Sequence, residues 1–177
     1  AAVAACLLIF VTPYDAATWL QADHITATGE MRAVTLRDGS TVMLNGDSAI
    51  TTDFSAGRRT IELLRGEAFF QVTHDAARPF VVDAESMTVT VTGTAFTVGI
   101  TDDRLSVSVE DGSVDVSKAD DPDATTALTR GQRAMLDRRT GMLTLGTVTP
   151  GTVASWRTGR LVVKNVALSD VVDALAR

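Results

Sequence analysis

The 177-residue chain predicts a mainly β fold, either solenoid-like or a rolled β-sandwich of short strands. Three observations carry this reading. Between Ala22 and Pro150, apolar and polar residues alternate again and again, the period of a strand with one buried face. Val and Thr each outnumber Leu, Lys and Glu, and β-branched side chains suit a pleated surface. Glycines recur at regular intervals: Gly39, Gly66 and Gly93 lie 27 residues apart, and Gly112 and Gly131 follow at steps of 19. Glycine at a fixed period, followed by apolar alternation, suggests short strands stacked so that each covers its neighbour's apolar face. An antiparallel meander also spaces its turns evenly.

Residues 1–11 carry no charge and, Cys6 apart, no polar side chain. A bilayer takes about 20 such residues, so the run reads as a buried helix or as the exit half of a membrane helix. The change to polar, alternating sequence after Pro13 favours the second. A signal peptide would need a basic leading region, and none is present. The expected organisation is therefore the end of a transmembrane helix over 1–13, an all-β domain over 14–150, and the truncated start of an α/β module over 151–177.

Within the β domain, strands are expected at 32–36, 41–44, 59–64, 68–72, 80–82, 87–91, 95–98, 105–109, 113–116, 133–136 and 142–145. Asp38-Gly39 between the first two is a hairpin signal. Residues 118–123 read as a turn or loop, because Pro122 excludes a central strand. Their acids lack the ligand spacing of a calcium loop. Residues 156–163 read as a strand. Asn165 can cap a helix whose apolar residues Leu168, Val171, Val172 and Leu175 fall at i, i+3, i+4 and i+7. A lone β-α pair cannot bury both its faces, so this module is incomplete.

The net charge of -6, with no local run of Lys or Arg, argues against a nucleic-acid partner, which needs a basic face. One cysteine allows no intrachain disulfide and no Cys-based metal cage. His24 and His74 have no second ligand at metal spacing, and no nucleophile, zinc-protease or phosphate-loop motif occurs. The acid pairs Asp102-Asp103 and Glu110-Asp111 fall in expected turns. A glycosidase on a β-scaffold could use such acids, but aromatics make up only 5% of the chain and leave few platforms for sugar. No catalytic residue, cofactor or metal site is assigned. Phe69 and Phe70 must point to opposite faces of one strand. Tyr14 and Trp19 stand where membrane-interface aromatics concentrate, or else pack under the first strand.

An ordered set of short motifs resembles the FecR domain. Its centre is Leu64-Arg65-Gly66-Glu67-Ala68-Phe69-Phe70-Gln71-Val72, then His74-Asp75, Arg78-Pro79-Phe80-Val81-Val82 and Thr92-Gly93-Thr94-Ala95-Phe96-Thr97-Val98. Thr28-Gly29-Glu30, Leu36-Arg37-Asp38-Gly39-Ser40, Leu44-Asn45, Ser48-Ala49 and Gly131-Gln132-Arg133 flank it. The region after Trp156 is similar to the start of a secretin/TonB N-terminal (STN) module.

The resemblance implies a single-pass inner-membrane regulator of Gram-negative bacteria with this segment in the periplasm. Such a protein relays a signal from the signalling domain of a TonB-dependent outer-membrane receptor, often one for iron chelates, to an extracytoplasmic-function sigma factor. The sigma factor would be held by a cytoplasmic segment outside these 177 residues. Among the matching residues, Gly66, Gly93 and Gly131 are expected at turns or close approaches, Pro79 at a strand start, and Phe69, Phe80 and Phe96 in the core. These are structural signatures rather than a binding site. A contact with the receptor is expected at Arg160, Leu161, Val162, Val163 and Lys164, a strand that could add to a partner sheet by edge pairing. The alternatives are a surface or secreted β-module that binds carbohydrate, and a hydrolase on a β-scaffold.

Overall fold

The computed structural model describes residues 18, 20–55, 57–160 and 162. The runs 1–17 and 163–177, with Trp19, Ala56 and Leu161, lie outside them, and with them the apolar N-terminus, Tyr14 and the C-terminal helix expected after Asn165. None of the helices among the described residues is long and apolar enough to cross a membrane.

Among the described residues, thirteen strands form one sheet that rolls back on itself. They are β1 His24–Ile25, β2 Arg32–Thr35, β3 Thr41–Leu44, β4 Ala49–Asp53, β5 Arg59–Gln71, β6 Phe80–Ala84, β7 Met87–Val91, β8 Ala95–Ile100, β9 Arg104–Asp111, β10 Ser113–Lys118, β11 Asp121–Thr129, β12 Gln132–Asp137 and β13 Leu143–Thr147. One half runs β1-β4-β5-β6-β7-β10-β11 and the other β2-β3-β5-β8-β9-β12-β13. The fold is mainly β, as the alternation requires. Of the two forms left open, its pairing is that of the rolled sheet: every ladder is antiparallel except β5 with β6.

The thirteen-residue β5 belongs to both halves. Its Thr60–Arg65 stretch pairs with β4, and from Gly66 on it pairs with β8. Expecting two strands separated by a turn at Gly66 was therefore wrong. Gly66 is a bend within one strand, at φ +81. A register slip just before the bend, where Ile50 pairs with Leu63 but Ala49 with Arg65, shifts the phase: Arg59, Ile61 and Leu63 are buried before it, Ala68 and Phe70 after it. A slip of one residue moves side chains to the other face, so an uninterrupted strand could not bury both sets.

Four of the five evenly spaced glycines mark places where the chain changes halves. Gly66 lies inside β5, Gly93 between β7 and β8, Gly112 between β9 and β10, and Gly131 between β11 and β12. Gly39 instead turns the β2–β3 hairpin. At Gly93 the reason is crowding, since a Cβ would stand 2.7 Å from the His74 Cα.

Alternate residues of both halves meet in one core that holds Phe70, Phe80, Phe96, Ile61, Leu63 and Leu105. The Phe70 ring stacks on Phe96 at 5.1 Å and meets Phe80 edge-on at 6.2 Å. Phe69 is not part of this core. It faces the other side of the sheet, in a second cluster with Val153 and Ala154.

Three strands escaped the sequence reading, the two-residue β1 among them. Residues 49–53 pair with β5 although only Ala49 and Ile50 are buried. Residues 121–129, expected to begin as a loop, form β11, which pairs on one side only among the described residues. Pro122 is tolerated there because an edge strand leaves one side unpaired.

Candidate partner interface

The motif that includes His74-Asp75 and Arg78-Pro79 is held from below by Arg59. That side chain is 1% exposed and sits on the core-facing phase of β5. Its Nε donates to the Arg78 carbonyl at 2.8 Å, Nη1 to the Thr73 carbonyl at 3.0 Å and Nη2 to the Asp75 carbonyl at 3.2 Å. Nη1 also reaches the Asp38 carboxylate at 3.0 Å. The Asp38 carboxylate accepts from the Ser40 N–H and hydroxyl as well. Burial alone would raise the Asp38 carboxyl, but the two Ser40 donors and the Arg59 charge outweigh it and hold it below its ordinary value. One guanidinium thus ties the β2–β3 hairpin to the loop between β5 and β6. Sequence reading had both residues and passed over them, Asp38 as a turn residue and Arg59 as the start of a strand. Period two counted back from Leu63 and Ile61 puts Arg59 on the buried face, which was the available signal.

On the opposite face of the second half, the chain after β13 folds back over Phe69. Where a strand was expected to begin at Trp156, Ser155–Thr158 forms a 3₁₀ turn, preceded by another at Pro150–Thr152, and Leu161 and Val163 of that expected strand lie outside the described residues. Gly159 ends the second in the left-handed region, where its N–H is bonded back to Trp156 at 2.8 Å. Val153, Ala154 and Trp156 pack with Phe69, Met43 and Ala95. Arg157 lies over the Phe69 ring, its Cζ 3.5 Å from the centroid, and its Nη2 donates to the Glu110 carboxylate at 2.7 Å. The cation over the ring face and the ion pair act on the same guanidinium. Arg157→Ala should therefore loosen this segment without unfolding the sheet. The expected readout is faster amide exchange over residues 153–160, with the β5 and β8 amides unchanged.

The clamp decides where the chain leaves the β body. Arg160 N–H bonds the Ser155 carbonyl at 3.3 Å, and Val162 N–H bonds the Ser155 hydroxyl at 3.3 Å. Arg160 and Val162 are exposed, whereas Leu161, Val163 and Lys164 lie outside the described residues. The other signature residues serve the scaffold. Phe80 and Phe96 fill the core, Gly66 and Gly93 admit close packing, Gly131 turns at φ +80, and Pro79 precedes β6.

No convergent carboxylate pair emerges from the acids considered above. Asp102 and Asp103 are exposed in a turn, Glu110 is engaged by Arg157, and Asp111 is exposed. An open groove of about 490 Å³ lies between β2 and β4, lined in part by Val34, Leu36 and Phe54. The two acids in it are already engaged, Asp23 by Thr52 and Asp53 by Ser55 and Arg58. His24 is half-buried at the groove and His74 is exposed. Among the described residues, no three His, Cys, Asp or Glu side chains gather as a metal site.

Comparison with known proteins agrees with this geometry. The family model described as "FecR protein" matches residues 22–115, from just before β1 into β10. Two crystal structures of a "putative anti-sigma factor" from Parabacteroides distasonis share the fold. Both are 29% identical, with TM-scores of 0.79 and 0.77. They cover 86% and 85% of this chain, and 72% and 70% of their own chains. No curated protein matches the sequence. The family model spans over half of the chain and takes in the bend at Gly66, the Arg59-held loop and the crossover at Gly93, so the chain belongs to the FecR family.

Proposed function

We propose that this chain is the periplasmic, signal-receiving part of a FecR-type regulator anchored in the inner membrane. It acts by protein contact rather than by catalysis. In this reading it takes a signal from the signalling domain of a TonB-dependent outer-membrane receptor and passes it to an extracytoplasmic-function sigma factor. Family membership and the fold shared with a "putative anti-sigma factor" support a regulatory role. The receptor contact is assigned to the segment Arg160, Leu161, Val162, Val163 and Lys164, which follows the clamp.

The observation that carries the proposal is the clamp. Residues 153–157 are anchored on Phe69 and Glu110, so a pull or displacement at Arg160 is delivered to β5 and β9. A free linker would dissipate it. The signalling domain of a receptor encoded beside the regulator provides the test, with affinity for the whole chain compared with a form ending at Pro150. Loss of binding in the shortened form is expected, and equal binding would exclude residues 160–164 as the contact.

A further inference from the structure

We infer that β13 is the interface for a second copy of this chain, which adds its own β13 antiparallel across a twofold axis at Leu145. The other long edges left unpaired among the described residues carry safeguards against pairing. β11 has Pro122 between Asp121 and Asp123, and β2 has Arg32 paired to Glu30 with Arg37 just beyond its end. Charge and proline are the usual means of blunting an edge. β13, Leu-Thr-Leu-Gly-Thr, has neither.

Hydrogen-bond phase shows which groups are offered. Val148 N–H bonds the Gly131 carbonyl and Asp137 N–H bonds the Met142 carbonyl. Bonded and non-bonded pairs alternate along an antiparallel ladder. The pairs Arg133–Gly146 and Met135–Thr144 are therefore bonded, and Leu143, Leu145 and Thr147 turn their N–H and C=O away from β12, the one strand paired with β13 among the described residues.

The side chains favour a self-match. Leu143 and Leu145 stand opposite the buried Leu136 and Ala134, so they share the core-facing side. Leu143 packs against the core, whereas Leu145 is left 58% exposed at its rim and the neighbouring Met142 63% exposed. A twofold axis at Leu145 sets Leu145 beside its own copy and Leu143 against Thr147, with on the order of six new backbone hydrogen bonds. Met142 falls beside Val148 of the second copy. The charged hairpin Asp137-Arg138-Arg139 comes near the uncharged Val148-Thr149-Pro150 rather than near itself. A strand in phase, apolar on the same face and free of charge is what this edge requires, and the chain carries one.

The test uses the whole chain in a mild non-ionic detergent, followed by sedimentation velocity across the micromolar range. A reversible dimer is expected. Leu145→Arg should weaken it about tenfold or more, an interaction loss of about 1.4 kcal/mol. Its circular dichroism should stay unchanged, because the side chain is exposed. In a Cys6→Ala background, Leu145→Cys should cross-link readily under copper phenanthroline, since bonded antiparallel Cα atoms lie about 5.5 Å apart, within disulfide reach. Ala33→Cys on the β2 edge is the control. A monomeric wild type, a dimer that survives Leu145→Arg, or cross-linking no better than the Ala33 control would each overturn the assignment.

Discussion

Arg59→Ala should lower the unfolding free energy by about 3–5 kcal/mol, the usual cost of stranding one partner of a buried ion pair. The reason lies in what the guanidinium leaves behind. The Asp38 carboxylate, 4% exposed, would lose its cation, and the carbonyls of Thr73, Asp75 and Arg78 would lose donors. Arg59→Lys should recover little, because an ammonium lacks the planar fork that reaches four acceptors at once. Equilibrium urea unfolding measures both. A loss below about 1 kcal/mol for the alanine variant would place it among ordinary surface changes and refute the role.

The same pair has a pH signature. The Asp38 carboxyl is held below its ordinary value in the folded state, so the folded state binds that proton less readily than the unfolded chain does. Its contribution is complete above the unfolded carboxylate value of about 4 and is lost as pH falls through the lower folded value. Stability should decline on the acid side, and in Asp38→Asn that limb should be shallower.

Gly66→Ala should be nearly as damaging, at about 2–5 kcal/mol. Left-handed backbone costs an L-residue about 1–2 kcal/mol, and overpacking adds about 1–3. At φ +81 a Cβ would stand 2.3 Å from the Ser48 hydroxyl, 2.5 Å from the Asp47 carbonyl oxygen and 2.6 Å from the Ser48 Cα. Two of these are backbone atoms, so the corner itself would have to open. Gly57→Ala separates the two terms. Gly57 has φ +78 and nothing within 4 Å of its would-be Cβ, so only the backbone cost applies there. Equal losses at the two positions would show that close packing at the corner contributes nothing.

Much of the architecture was legible because burial on one face writes period two into a strand. β3, β7, β9, β10 and β12 were readable for that reason. β4 was missed because burial stops after its first two residues, leaving no alternation. β11 was missed because an edge strand in solvent tolerates acids and a proline. The bend in β5 was half visible: the buried phase changes from odd to even positions between Leu63 and Ala68. A glycine there says that something turns, but not whether the chain reverses or merely bends.

The clamp was not legible. Phe69 was known to oppose Phe70, yet its cover comes from residues more than eighty positions away. A Trp-Arg-Thr stretch has no period long enough to separate a 3₁₀ turn from a strand. Glu110 looked like a solvated turn acid until Arg157 was placed against it.

By itself, then, the order of residues determined that the chain is β throughout its middle, where most strands lie and which glycines interrupt them. These follow from local sterics and from the need of each strand to hide one side. Only the tertiary structure decided that four of these glycines are crossings between two halves of one rolled sheet, that Arg59 stitches a hairpin to a loop, and that residues 153–157 are pinned to the outer face. Each of those depends on partners distant in the chain, and an isolated stretch of sequence carries no record of which distant group will satisfy a buried charge or cover an exposed ring.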